Sequence, residues 1–236
     1  LEMGETYRAH VCEFNSGSTY YNASTGTGNP ANQATSSCVN PTSGGGIGDA
    51  QSICHGATPA GLTSSSLPSG HAGTLEYKWQ SSITSSTSGF TDIGSSTGTT
   101  YNPGPLTQTT WFKRLSKVTC DGTWPVSGES NVVAITIHPT FSSGAIPNGG
   151  ITYCYSGNPD EIINETAASG GDGVISYQWQ SSTTNGATGF SDIGSATGSS
   201  YDPPAGATDT IWYRRMAKDG TCNTTFTASS GVYQIS

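Results

Sequence analysis

Few residues of this chain are of a type that does chemistry, and the cysteines are the most regular of them. There are six: Cys12, Cys38, Cys54, Cys120, Cys154 and Cys222. None lies in a Cys-x-x-Cys pair and no histidine stands at zinc-ligand spacing from one, which argues against a metal centre. An even count reads as disulfides formed in an oxidising compartment. Cys54 and Cys120 bracket one stretch of chain, and Cys154 and Cys222 occupy matching places about a hundred residues on. The expected pairs are therefore Cys54–Cys120 and Cys154–Cys222, leaving Cys12 with Cys38.

Catalytic groups are harder to assemble. His10, His55, His71 and His138 are scattered, and the positions a hundred residues after His55 and His71 are Tyr155 and Gly171. A Ser/His/Asp triad can be picked from any chain this rich in Ser and carries no weight without geometry. Gly44–Gly46 and Gly149-Gly150 lack the Lys or the helix of a phosphate-binding loop. Asp92 and Asp192 each sit in a Phe-(Thr/Ser)-Asp-Ile-Gly bend, where a carboxylate steadies a turn; calcium would need 6–8 oxygens, which no acidic cluster supplies. Asp160-Glu161 corresponds to Ala60-Gly61 and reads as a solvated loop. No catalytic residue, metal or cofactor is expected. Of the five tryptophans, Trp79, Trp179, Trp111 and Trp212 recur at matching places and read as core, whereas Trp124, beside Pro125, has no counterpart and is the candidate for ligand contact.

The elements that must carry these residues are written twice. Tyr77-Lys78-Trp79-Gln80-Ser81-Ser82 returns as Tyr177-Gln178-Trp179-Gln180-Ser181-Ser182, and Gly89-Phe90-Thr91-Asp92-Ile93-Gly94 as Gly189-Phe190-Ser191-Asp192-Ile193-Gly194. Tyr101-Asn102-Pro103 returns as Tyr201-Asp202-Pro203, and Trp111-Phe112-Lys113-Arg114 as Trp212-Tyr213-Arg214-Arg215, one residue out of step. Such a period defines the folding unit. It divides the chain into an N-terminal segment 1–46 (a cap, or the tail of a preceding repeat), repeat 1 at 47–139 and repeat 2 at 140–236. Leu75–Ser82 alternates apolar and polar residues with a period of two, as does 175–182, and Asn185-Gly186, Asp121-Gly122 and Asp219-Gly220 mark turns. No stretch keeps helical periodicity. The fold class is all-β: two tandem β-sandwiches after a short irregular segment.

Composition narrows the partners. The net charge is −8 with only eight Lys and Arg, so the cationic footprint of a nucleic-acid or anionic-lipid binder is missing. No apolar run approaches the roughly 20 residues of a membrane span, so direct insertion is not expected.

The string Tyr-x-Trp-Gln-Ser-Ser, Gly-Phe-x-Asp-Ile-Gly, Tyr-x-Pro, Trp-(Phe/Tyr)-(Lys/Arg)-Arg and then Cys resembles the immunoglobulin-like repeats of large Bacteroidetes surface proteins, best known from gliding adhesins of the SprB type. The resemblance covers 47–236. It implies immunoglobulin-like sandwiches in a secreted cell-surface protein, exported by the type IX route, whose partners are neighbouring repeats of the same chain or filament and surface polysaccharide or glycan. The expected function is a non-catalytic structural and adhesive segment of an adhesin or filament, with gliding motility as one setting. Two alternatives stand beside it: an accessory carbohydrate-binding module of a secreted enzyme, and a self-assembling filament subunit. Asp209-Thr210-Ile211 is similar to the short O-glycosylation motif of that phylum, which makes Thr210 a candidate acceptor. The short link Pro139–Pro147 implies domains set end to end.

Overall fold

In the computed structural model, residues 38–154 and 157–236 are described. Cys12, the expected Cys12–Cys38 bridge and the rest of segment 1–37 lie outside them. The first repeat holds β1 (Gly46–Ile47), β2 (Gln51–Cys54), β3 (Ser64–Ser66), β4 (Leu75–Ser82), β5 (Thr91–Asp92), β6 (Thr110–Val118) and β7 (Val133–His138). The second holds β8 (Gly149–Ile151), β9 (Ser176–Ser182), β10 (Ser191–Asp192), β11 (Ile211–Lys218), β12 (Thr227–Ala228) and β13 (Tyr233–Ile235). A 3-10 turn at Val126–Gly128 is the one helical element among the described residues.

Each repeat builds the same main sheet, β2-β7-β6-β4-β5 in the first and β8-β13-β11-β9-β10 in the second, where β12 also pairs with β11. The antiparallel registers coincide: Trp79 faces Arg114 across β4 and β6, and Trp179 faces Arg215 across β9 and β11. A second layer is held by short contacts. In the first repeat these are β1 with β3 and the bridges Val39–Ala72, Ser43–Ser69 and Leu62–Tyr101; in the second, Ser142–Ser169, Ala145–Thr166 and Ile162–Tyr201. Both repeats are immunoglobulin-like β-sandwiches, and the protein is all-β.

The chain forms two compact units. The first takes the described residues up to Gln51, Thr58–Gly104 and Thr109–Ile135; the second takes Ser52–Ala57, Pro105–Gln108 and Thr136–Ser236. Residues 38–46, which the sequence left outside the repeats, belong to the first unit. Their pairing runs through backbone groups, as where Val39 and Ala72 exchange N–H···O bonds of 3.0 Å, so no side-chain periodicity marks it.

The core follows from alternation along the strands. Trp79 and Trp179 are fully buried, as expected, and each indole Nε1–H donates to a carbonyl, Gly98 O and Gly198 O, at 3.0 Å. Tyr101 packs on Trp79 and Phe112, and Tyr201 on Trp179 and Tyr213, with centroids 5.6–5.7 Å apart. Ile146, Ile162 and Ile235 complete the second core. Trp111 and Trp212 do not belong to it. On β6 and β11 the inward positions are Phe112, Arg114, Ser116 and Tyr213, Arg215, Ala217, and the two tryptophans lie half-buried on the opposite face. The expectation that they are core is corrected: an arginine inside fixes the parity of each strand, and its Trp three residues earlier faces out.

Candidate functional site

The most unusual groups inside the fold are two guanidinium ions. Arg114 and Arg215 are both fully buried. Arg114 Nη1 donates to Ser64 Oγ and to Thr99 O (3.0 Å), and Nη2 to Gly44 O (3.2 Å) and Ser66 O (3.3 Å). Arg215 repeats the pattern: Nη1 donates to Asn164 Oδ1 and Ser199 O (2.9 Å), and Nη2 to Ser143 O (3.3 Å) and Thr166 O (3.4 Å). Its Nε also reaches Ser229 Oγ at 3.1 Å, whereas Arg114 Nε has no partner among the described residues. Neither guanidinium has a carboxylate in the ion pairs found among the described residues. Each lies instead over a tyrosine ring, Tyr77 at 5.2 Å and Tyr177 at 4.8 Å. Burial lowers both arginine pKa values from the ordinary one, and the tyrosine works in the opposite direction. The planar fork suits this task because it can satisfy several fixed carbonyls of the facing layer at once. Each arginine is thus a strut tying the main sheet to the second layer. The signal lay in the repeated Trp-(Phe/Tyr)-(Lys/Arg)-Arg, where a charged residue shares the strand parity of a core aromatic.

The cysteines pair differently from the expectation. The bridges are Cys38–Cys120, with Cα atoms 6.0 Å apart, and Cys54–Cys222, at 5.5 Å. Cys154 is exposed and has no bridge among the described residues. The expected Cys54–Cys120 and Cys154–Cys222 are corrected by a local feature. Both repeats follow their long strand with Asp-Gly-Thr, but Cys120 immediately precedes that turn and Cys222 immediately follows it. Asp121 Oδ1 accepts from Thr123 N and Oγ at 2.8 Å; Asp219 Oδ1 accepts from the N–H of Thr221 (2.8 Å), Cys222 (2.5 Å) and Asn223 (3.0 Å). Burial pushes the Asp219 carboxyl up, yet the N–H groups of Asn223, Thr221 and Cys222 outweigh it and hold the pKa below the usual value. A cysteine before such a tight turn and one after it leave in different directions, so they meet different partners.

The remaining candidates are dispersed. Asp92 accepts from Gln80 Nε2 (2.6 Å) and Lys78 Nζ (3.0 Å), and Asp192 from Gln180 Nε2 (2.7 Å). Gln80, then Lys78, holds the Asp92 carboxyl below its usual pKa. These two carboxylates grip side chains of the neighbouring strand. Glu161 Oε1 accepts from Ser200 Oγ, and Asp160 and Glu161 are exposed as expected of a loop. Trp124 is half-buried with the ammonium groups of Lys78 and Lys117 4.9 and 5.2 Å from its ring centroid. A sugar stacking there would have to displace these cations. Thr210, half-buried, directly precedes β11. No group of three His, Cys, Asp or Glu residues is placed to hold a metal among the described residues.

A family profile described as "Domain of unknown function (DUF8696)" matches twice, over residues 43–139 and 143–235. The chain belongs to that family. There are two matches in tandem, and the first begins ahead of residue 47. No curated protein matches the chain. Among solved structures it is similar to the crystal structure of the chicken CNTN1 FN1-FN3 domains, at 14% identity and a TM-score of 0.35, covering 81% of this chain and 65% of that one. That likeness concerns fold alone. The disulfides fit a protein exported to an oxidising compartment.

Proposed function

We propose that this chain is a non-catalytic segment of a bacterial cell-surface adhesin or filament, whose repeats provide reach and resistance to pulling. The carrying observation is the overlap of the two covalent loops, 38–120 and 54–222. Tension applied outside them passes along the 16 residues from Cys38 to Cys54 (54 − 38) and through the bridge to Cys222, bypassing everything between. At about 3.5 Å per extended residue that segment yields roughly 56 Å. With both bridges reduced, the full 184 residues (222 − 38) yield roughly 640 Å. With both bridges closed, a tether under shear keeps nearly its native length. The resemblance of the repeats to gliding adhesins supports the cell-surface setting, with neighbouring repeats and surface glycans as partners. Single-molecule stretching decides it: the oxidised chain should extend by little between the cysteines and the reduced chain by the longer increment. Long extension of the oxidised chain would defeat the tether reading.

A further inference from the structure

Cys54 and Cys154 stand a hundred residues apart at one position of the repeat, and the carbonyl of each accepts from the N–H three residues on. Ala57 N–H donates to Cys54 O at 3.0 Å, and Gly157 N–H to Cys154 O at 2.9 Å. Each turn is then held by a later segment: Leu106 N–H donates to Ala57 O at 3.0 Å, and Gly206 N–H to Gly157 O at 3.1 Å. The sulfur in the first turn is bonded to Cys222, and both of those cysteines lie in the second unit. The sulfur in the second turn is exposed and has no bridge among the described residues. The partner type is also specified. Cys222 follows its Asp-Gly-Thr turn and bonds Cys54 of the preceding repeat although Cys154 of its own repeat stands unbridged, and Cys38 has no counterpart, the position a hundred residues on being His138. Cys120, which precedes the turn, is already taken by Cys38. The repeat therefore comes in two forms. One closes on itself; the other offers its post-turn cysteine to the turn cysteine of another repeat.

We propose that Cys154 is a covalent attachment point for a further repeat of this family, through a cysteine placed directly after the Asp-Gly-Thr turn of that repeat, as Cys222 is. The inference rests on the two equivalent turns and the observed bridge, and it needs only the tandem architecture, not the adhesive role. The chemistry is thiol–disulfide exchange with a low-molecular-weight disulfide such as oxidised glutathione as electron acceptor. The incoming cysteine first forms a mixed disulfide, releasing one glutathione thiol. The Cys154 thiolate then attacks the protein sulfur of that mixed disulfide, forms the new S–S bond and expels the second glutathione thiolate, which takes up the proton lost by Cys154. Two protein thiols are oxidised and one small disulfide is reduced.

The Cys54→Ser chain provides the test, because it frees a post-turn Cys222 while keeping Cys154. In a glutathione redox buffer at high protein concentration it should form covalent oligomers, and non-reducing peptide mapping should find Cys154 joined to Cys222. A chain that stays monomeric, or oligomers joined only Cys154 to Cys154, would overturn the proposal. Should Cys54→Ser fail to fold, the unaltered chain decides: its native Cys154 should be alkylated by iodoacetamide, and mapping that finds Cys154 bonded to Cys12 would refute the assignment.

Discussion

Replacing Arg114 by Met tests whether the buried guanidinium holds the layers of the first repeat together. Met fills similar volume without charge, so two effects oppose each other. Removing a buried cation relieves desolvation, which amounts to several kcal/mol per ion. Against this, Gly44 O and Ser66 O lose the guanidinium donor and Thr99 O keeps only Ser64 Oγ, and these carbonyls cannot be exchanged for apolar groups as a carboxylate partner could. Each buried acceptor left unpaired costs about 1–3 kcal/mol, and a hydrogen bond to a charged donor contributes about 1.5–3. Removing one side only of a buried charged arrangement costs about 3–5 kcal/mol, and that is the expected loss here. For a repeat of this size it corresponds to a fall in Tm of at least about 12 °C. Differential scanning calorimetry reads it, and Arg215→Met should produce a comparable shift in the transition of the second repeat. Because the site is buried, the loss should change little between low and high salt. An Arg114→Met chain as stable as the parent, or more so, would show that desolvation dominates and that the strut is not what joins the layers.

Burial, followed by the neighbouring Tyr201, pushes the Tyr213 phenol up to about 12 from 10.0. A group raised in the folded state contributes stability that is complete below the unfolded pKa and is lost as pH rises through the folded one. The parent should therefore lose stability between about pH 10 and 12 relative to Tyr213→Phe in urea titrations, and parallel curves would contradict the assignment. Gly231 has φ +90°, and a Cβ there would lie 2.1 Å from Ile146 O; Gly231→Ala should lower stability by more than about 1–3 kcal/mol by chemical denaturation, and a neutral result would count against the observed backbone. Trp124→Ala should cost about 1–2 kcal/mol through the lost contacts of Lys78 and Lys117 and leave any glycan-array signal unchanged; a signal that disappears with the indole would instead favour the carbohydrate-binding alternative.

The long strands β4 and β9 were legible in the sequence because their alternation is clean, and the tandem count because the Tyr-x-Trp-Gln-Ser-Ser strings recur. The parity of β6 and β11 was not. Thr-Trp-Phe-Lys-Arg-Leu places aromatics on both faces, and only the carbonyls of Gly44, Ser66 and Thr99, brought together by the other layer, make arginine the inward choice. Segment 38–46 escaped notice because backbone bridging leaves no pattern in Asn, Pro, Ser and Gly. The disulfide pairing is not legible from the cysteine positions alone, because Cys120 precedes its Asp-Gly-Thr turn and Cys222 follows its own.

The pairing order has a consequence for how the chain is made. Among the four bridged cysteines, the first joins the third and the second joins the fourth. A chain leaving a membrane pore N-terminus first presents Cys38 and Cys54 to the oxidant together, well before either native partner has emerged. An indiscriminate oxidase would join these neighbours and lock in a wrong crosslink that only reshuffling can undo. Maturation therefore calls for a disulfide isomerase, or for oxidation delayed until Cys222 is out and the sheets have formed. The protein's native covalent map is one that the order of emergence works against, and it is reached either by reshuffling or by folding ahead of oxidation.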